Sequence, residues 1–184
     1  MNLSIRRATE ADLPALRNII NHYIRQSAVT FEMEEVSLEN RMEWFRQFTE
    51  TGRHQLLLAE MDGGVAGYAA SVHFHERPAY EPSVMTSVYL SPNHLGQRIG
   101  EALYRVLLSE LEKTGKVHRA YGLVVMPNPA SEKLHEKLDY QEAGLLHEAG
   151  VAGVAADSRV GPPVGIALEP TREPDQLADL ADQW

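Results

Sequence analysis

The chain has 184 residues, of which 43% are hydrophobic, enough for the core of one domain. Its formal net charge of −9 argues against nucleic acid as the main partner and mildly favours cationic or amine-bearing substrates at encounter. The absence of cysteine excludes disulfides, a covalent cysteine intermediate and thiolate metal sites, and no apolar run approaches the ~20 residues of a membrane span, so a cytoplasmic location with no membrane partner is the simplest expectation.

Leu3 to Arg7 reads as a strand. Thr9 is placed to cap a helix over 11–26, with Leu13, Leu16, Ile19, Ile20 and Tyr23 on its inward face. Ser37 caps a second helix over 38–50, with Met42, Phe45 and Phe48 on one face. Gln55 to Glu60 and Val65 to Val72 read as strands, and Asp62-Gly63-Gly64 between them is a strong hairpin signal. A β-rich run follows to Leu90 and is cut by Pro92. Next come a helix over 98–114, with Ile99, Leu103, Val106, Leu107 and Leu111 at helical spacing, a strand over 117–126, a helix over 129–138 and a strand over 140–148. The class is mixed α/β, without internal repeats and without a linker before residue 150. Residues 151–163 are small and loop-like. The segment from Glu169 to Trp184 is Pro-rich and then acidic, and is expected to be a flexible tail beyond a single domain over residues 1–168.

Residues 84–104 carry the most chemistry. A strand feeds a turn containing Gly96 and Gly100, and the turn opens a helix. At such a junction backbone N–H groups point outward and the helix dipole favours negative charge, which predicts a phosphorylated cofactor. Neither the dinucleotide fingerprint nor the P-loop is present.

The loop itself reads Gln97-x-x-Gly100-x-Ala102, which resembles the pyrophosphate loop of GNAT-superfamily N-acetyltransferases. Downstream, Asn128-Pro-Ala-Ser131-Glu-Lys-Leu134-His135-Glu-Lys-Leu138-Asp-Tyr140 resembles a second motif of that superfamily, in the usual order and on the expected elements. Asn21-His22-Tyr23-Ile24, then Val29-Thr30-Phe31, Gly67-Tyr68-Ala69 and Ser87-Val88-Tyr89-Leu90 are similar to the phosphinothricin and methionine-sulfoximine N-acetyltransferase branch. The resemblance covers roughly residues 3–150.

It implies a GNAT-like fold, with a central, mixed, mostly antiparallel sheet flanked by helices and a gap where Val88 to Leu90 and the 120–126 strand part. It implies acetyl-CoA as cofactor and no metal. Backbone amides of Gly96, Gln97, Arg98, Ile99, Gly100 and Glu101 would face the pyrophosphate, Val88, Tyr89 and Leu90 would bond the pantetheine amide, and Asn128 and Ser131 would flank the arm. Two registers of the loop compete. One puts Gln97 first, and the other, ungapped through Leu103-Tyr104 and favoured, puts Arg98 where the family prefers glycine. Phe31, Glu32, Arg77 and Tyr80 fall where the branch lines its acceptor pocket.

The departures matter as much. Members of the branch typically have Thr-Val-Glu where this chain has Ser83-Val84-Met85, and a thioether takes no proton at neutral pH. His73 and His75, with Glu76 and Glu81 nearby, are candidate substitutes for the base. His135 stands where the superfamily often has a tyrosine general acid, and packing beside the cofactor is an equal alternative. The Gly-x-Lys-Phe-Gly-x-Trp-x-Asp segment of the branch survives here only at Asp157. The expectation is direct acetyl transfer to the amine of a small, amino-acid-like metabolite. The alternative is a non-catalytic acyl-CoA sensor that kept the cleft and lost the base. A homodimer is implied by the resemblance alone.

Overall fold

The computed structural model describes residues 2–146 and 164–170. The elements are β1 (Leu3–Arg7), α1 (Leu13–Gln26), α2 (Leu38–Phe45), β2 (Leu56–Met61), β3 (Gly64–His73), β4 (Ser83–Leu90), α3 (Ile99–Lys113), β5 (Arg119–Met126), α4 (Pro129–Glu136), β6 (Tyr140–Leu146) and β7 (Val164–Pro170). One sheet holds all seven strands in the order β1-β2-β3-β4-β5-β7-β6. Only β4 and β5 are parallel, joined by the crossover helix α3; every other pair is antiparallel.

Side chains alternate across the sheet and so build two cores. On one face Leu103, Tyr104, Leu107 and Leu111 of α3 pack on Leu57, Ala69, Val84, Ala120 and Val124. On the other, Leu13, Leu16 and Ile19 of α1, with Trp44, Phe45 and Phe48, pack on Leu56, Leu58, Tyr68 and Ala70. Each fully buried leucine contributes about 1.5–3 kcal/mol relative to exposure, so these two layers fix which residues of β4 face which side. The β2–β3 turn is as the sequence signals: Asp62 (φ 50°) and Gly63 (φ 85°) both take the left-handed conformation of a tight hairpin.

Several boundaries differ from expectation. Thr9 does cap, but what it caps is a 3-10 turn over Glu10–Asp12, and α1 begins at Leu13. The Asp12 carboxylate causes this: it accepts from both Arg6 Nη atoms at 2.8 Å and from Thr9 N at 2.7 Å, and the guanidinium holds it well below the usual carboxylate range. The second helix stops at Phe45 instead of residue 50. There Arg46 N bonds Glu43 O and Gln47 Nε2 bonds Trp44 O, which tightens and closes the last turn. Met42 is therefore exposed, and Arg41 holds the buried position, with its guanidinium 3.9 Å over Trp44 and 2.7 Å from the Tyr68 hydroxyl. β7 has no counterpart in the expected elements. It lies between β5 and β6 and carries the sheet two residues past the expected domain boundary at 168. Asp157 and the tail from residue 171 lie outside the described residues.

Candidate active site

The parallel pairing of β4 with β5 spans only four residue pairs, from Ser83↔Arg119 to Thr86↔Gly122. Beyond them Ser87–Leu90 stay paired to β3, while Leu123–Met126 pair with β7. Each strand is held by its outer neighbour, so the two inner edges separate and leave backbone donors and acceptors unpaired by sheet. The gap opens into a cavity of about 530 Å³.

One wall runs from Val88, Tyr89 and Leu90 through the loop to α3. Tyr23 anchors its top by donating to Leu90 O at 2.8 Å. Gly96 has φ 74° and Arg98 φ 60°, and Ile99 opens the helix. Left-handed backbone costs a side-chain-bearing residue roughly 1–2 kcal/mol. Arg98 thus occupies a position that glycine suits. Gly96, Arg98, Gly100 and Glu101 line the cavity. Gln97 instead turns back to Asn93 O, and the Ile99 side chain is fully buried in the core.

The other wall is the inner edge of β5 and the inward side of α4. Asn128 caps α4, its side chain accepting from Ser131 N at 3.2 Å, and both residues border the cavity. His135 follows one turn on, 5% exposed, with Nδ1 2.8 Å from Ser131 O and Nε2 3.4 Å from the Tyr104 hydroxyl. A nitrogen facing a carbonyl carries the hydrogen, and burial pushes the imidazole below its ordinary pKa, so His135 is neutral near pH 7 with Nδ1–H engaged. The ring meets Tyr104 and Tyr140 edge-on, at centroid distances of 5.4 and 4.9 Å. It fits because the residue beneath it is Gly122, where a Cβ would stand 2.9 Å from His135 Cδ2.

At the apex of the gap, Thr86 Oγ1 donates to Tyr121 O at 3.1 Å and accepts from the Tyr104 hydroxyl at 2.6 Å. The Tyr140 hydroxyl lies 3.1 Å from the same oxygen. Burial raises the pKa of both phenols, so this network is neutral, and of its members Thr86 lines the cavity.

Other residues singled out from the sequence lie elsewhere. His73 sits at the exposed end of β3, its ring 3.9 Å from that of His54. His75 is exposed, accepts from Arg77 N at 3.1 Å and faces the Tyr80 ring. Neither histidine lines the cavity, and neither do Phe31, Arg77 or Tyr80. Phe31 belongs to the segment between α1 and α2, which buried Asn21 clamps through two hydrogen bonds to the Val36 backbone, at 3.0 and 2.9 Å. Lining residues that the sequence reading missed include Tyr23, Thr86, Leu123, Lys133 and Lys137. The lysines carried a signal: they are four apart and so share one side of the chain leaving Asn128.

The residues fit an extended ligand with an amide-bearing arm and a phosphate head. A free strand edge can pair with amides, and a helix start beside Arg98, with Lys133 and Lys137 on the rim, suits phosphate. Comparisons with known proteins agree. The profile described as "Acetyltransferase (GNAT) family" matches residues 16–140. The chain is 35% identical over 150 residues to the phosphinothricin N-acetyltransferase of Streptomyces coelicolor, covering 80% of this chain and 87% of the relative. It is 31% identical over 148 residues to the L-amino acid N-acyltransferase MnaT of Escherichia coli, covering 80% and 85%. The solved structure of YncA from Salmonella typhimurium with its cofactor acetyl-CoA superposes with a TM-score of 0.82 at 26% identity, covering 95% of this chain and 99% of that one.

Proposed function

This chain belongs to the GNAT acetyltransferase family, and we propose that it moves an acetyl group from acetyl-CoA directly to the amine of a small, amino-acid-like metabolite. The observation that carries the proposal is the parting of β4 and β5 beside a helix start that presents Arg98. Relatives named for acetylating phosphinothricin and for acylating L-amino acids support the acceptor class.

Acetyl-CoA, when bound, supplies the activated acyl group as a thioester. The Gly96–Glu101 loop and Arg98 hold phosphate, the Ser87–Leu90 edge orients the arm, and Asn128 and Ser131 border it. Orientation of this kind accounts for up to ~7–11 kcal/mol of barrier reduction in favourable systems. The amine must also arrive without its proton. Met85 offers no base, and the lining carboxylate Glu101 is engaged by Arg105 at 3.2 Å and Lys137 at 3.5 Å. His135 is neutral with Nδ1–H bound to Ser131 O, which supports a role in holding α4 and the cavity wall in place. In this account the acceptor's proton leaves through the open cleft to solvent, and kcat/KM climbs with pH until the acceptor amine is neutral.

Thermal unfolding with and without acetyl-CoA tests the proposal. A hundredfold excess over Kd should stabilise the native state by about 2.7 kcal/mol. A cooperative transition with no shift overturns it. A shift without thiol release across an amine panel replaces it with the acyl-CoA-sensing alternative.

Arg98 gives a sharper test, because its side chain and its backbone act in opposite directions. Arg98→Gly should relieve about 1 kcal/mol of left-handed strain and raise Tm without ligand. It should also weaken acetyl-CoA binding about tenfold, the worth of one charge-assisted hydrogen bond. Calorimetric titration checks the second effect; tighter binding by the glycine variant would show that the guanidinium obstructs the phosphates.

A further inference from the structure

At the phosphate end of the cleft one side chain works against an anion. Glu101 sits in the first turn of α3, directly after Gly100, and is the one carboxylate among the described residues that line the cavity. A carboxylate in a first turn offsets the field that a helix start offers to phosphate. Contacts run from it to the opposite wall. Arg105, one turn on along α3, donates to Glu101 Oε1 from Nη2 at 3.2 Å and from Nε at 3.3 Å. The same Nη2 donates to Lys137 O at 2.8 Å, just past the end of α4. Lys137 Nζ, itself a lining group, stands 3.5 Å from Glu101 Oε2. This bridge joins the start of α3 to the end of α4 and engages two cations. Arg98 and Lys133 are the other cations of the described lining.

Fold stability does not account for the bridge. The side chains of Glu101, Arg105 and Lys137 are 26%, 53% and 58% exposed, and ion pairs this open to water contribute little. The charge matters more to what enters the cleft. The Arg105 hydrogen bonds, with Lys137 beside them, hold the Glu101 carboxyl below the ordinary glutamate range, so it is fully charged near pH 7. Phosphate brought to the Gly96–Glu101 loop meets that charge at close quarters, and Lys137 cannot pair fully with both anions. We infer that Glu101 is a built-in competitor of the cofactor's phosphates. It occupies Lys137 in the free protein and takes it back as coenzyme A leaves, so it sets how long the spent cofactor stays. The inference rests on the acetyl-CoA site proposed above and adds the residue that governs release from it.

The experiment titrates coenzyme A calorimetrically into the full chain and follows its release by stopped flow. Glu101→Gln should bind coenzyme A about fivefold or more tighter, the scale of removing one nearby like charge, with most of the gain in slower release. Lys137→Met should weaken binding about threefold in the parent and about tenfold beside Glu101→Gln, because only there is the lysine unengaged before phosphate arrives. A bridge that only joined two helices would give the opposite sign for Glu101→Gln, since loosening α4 weakens binding. Coenzyme A binding that is unchanged or weaker in Glu101→Gln, or a cost of Lys137→Met that is equal in the two backgrounds, overturns the inference and leaves the cofactor site standing. Neither heat nor a melting shift with coenzyme A in any of these chains overturns both.

Discussion

Met85→Glu is expected to raise kcat by about 10²-fold or more, the usual scale of a positioned general base. Met85 stands at the last pairs before β4 and β5 separate and is half-exposed. A carboxylate introduced there keeps enough water to stay ionised near neutral pH. The pH profile should change with the rate. In the parent, kcat/KM follows the acceptor amine upward; in the glutamate variant it should reach its plateau at lower pH. Met85→Gln has nearly the same shape and no base, and should leave kcat near that of the parent. Equal kcat in the glutamate and glutamine variants would show that proton removal from the amine does not limit the reaction.

Gly122→Val is expected to act on the opposite wall, costing about 1–3 kcal/mol of stability and weakening acetyl-CoA binding tenfold or more. A Cβ at this position meets the His135 ring, 2.9 Å from Cδ2. The ring has no free direction of retreat: Ser131 O holds Nδ1, and Tyr104 and Tyr140 stand edge-on beside it. The strain therefore passes to α4, which carries Ser131 and begins at Asn128. Denaturant unfolding and calorimetric titration check the two effects. Because clash and ring are one contact, adding His135→Ala should recover part of the lost stability, a non-additivity that a remote pair would not show. A valine variant as stable as the parent would mean that α4 shifts without cost.

The elements whose signals are local were legible in the chain. The amphipathic spacing of α3, the Asp62-Gly63 turn, the Ser37 cap and the strand–loop–helix order around Gly96 each depend on contacts within a few residues. The same locality let the Arg98 substitution be noticed, since its register is set by the helix that follows. The end of α2 was less legible, because Met42 and Arg41 are adjacent on one short helix. Which of them is buried depends on Trp44 and on Tyr68, the latter from a strand 27 residues away.

The geometry of the cleft was decided by pairings between distant segments. That β4 and β5 stay together only as far as Thr86↔Gly122 follows from their outer partners β3 and β7, and β7 enters the sheet from beyond residue 163. A short apolar run acquires its strand identity from its neighbours, so nothing within residues 164–170 announced it. The same holds for the histidines, alike as residues in the sequence: His135 is buried under two tyrosines, while His73 and His75 are left at an exposed end. The sequence by itself determined the family, the strand–loop–helix order around Gly96 and a thioether at residue 85, since these are matters of residue type and short spacing. Only the tertiary structure decided where the strands part, which histidine borders the cleft and what lies beside Met85, since register and burial are set by side chains far apart along the chain.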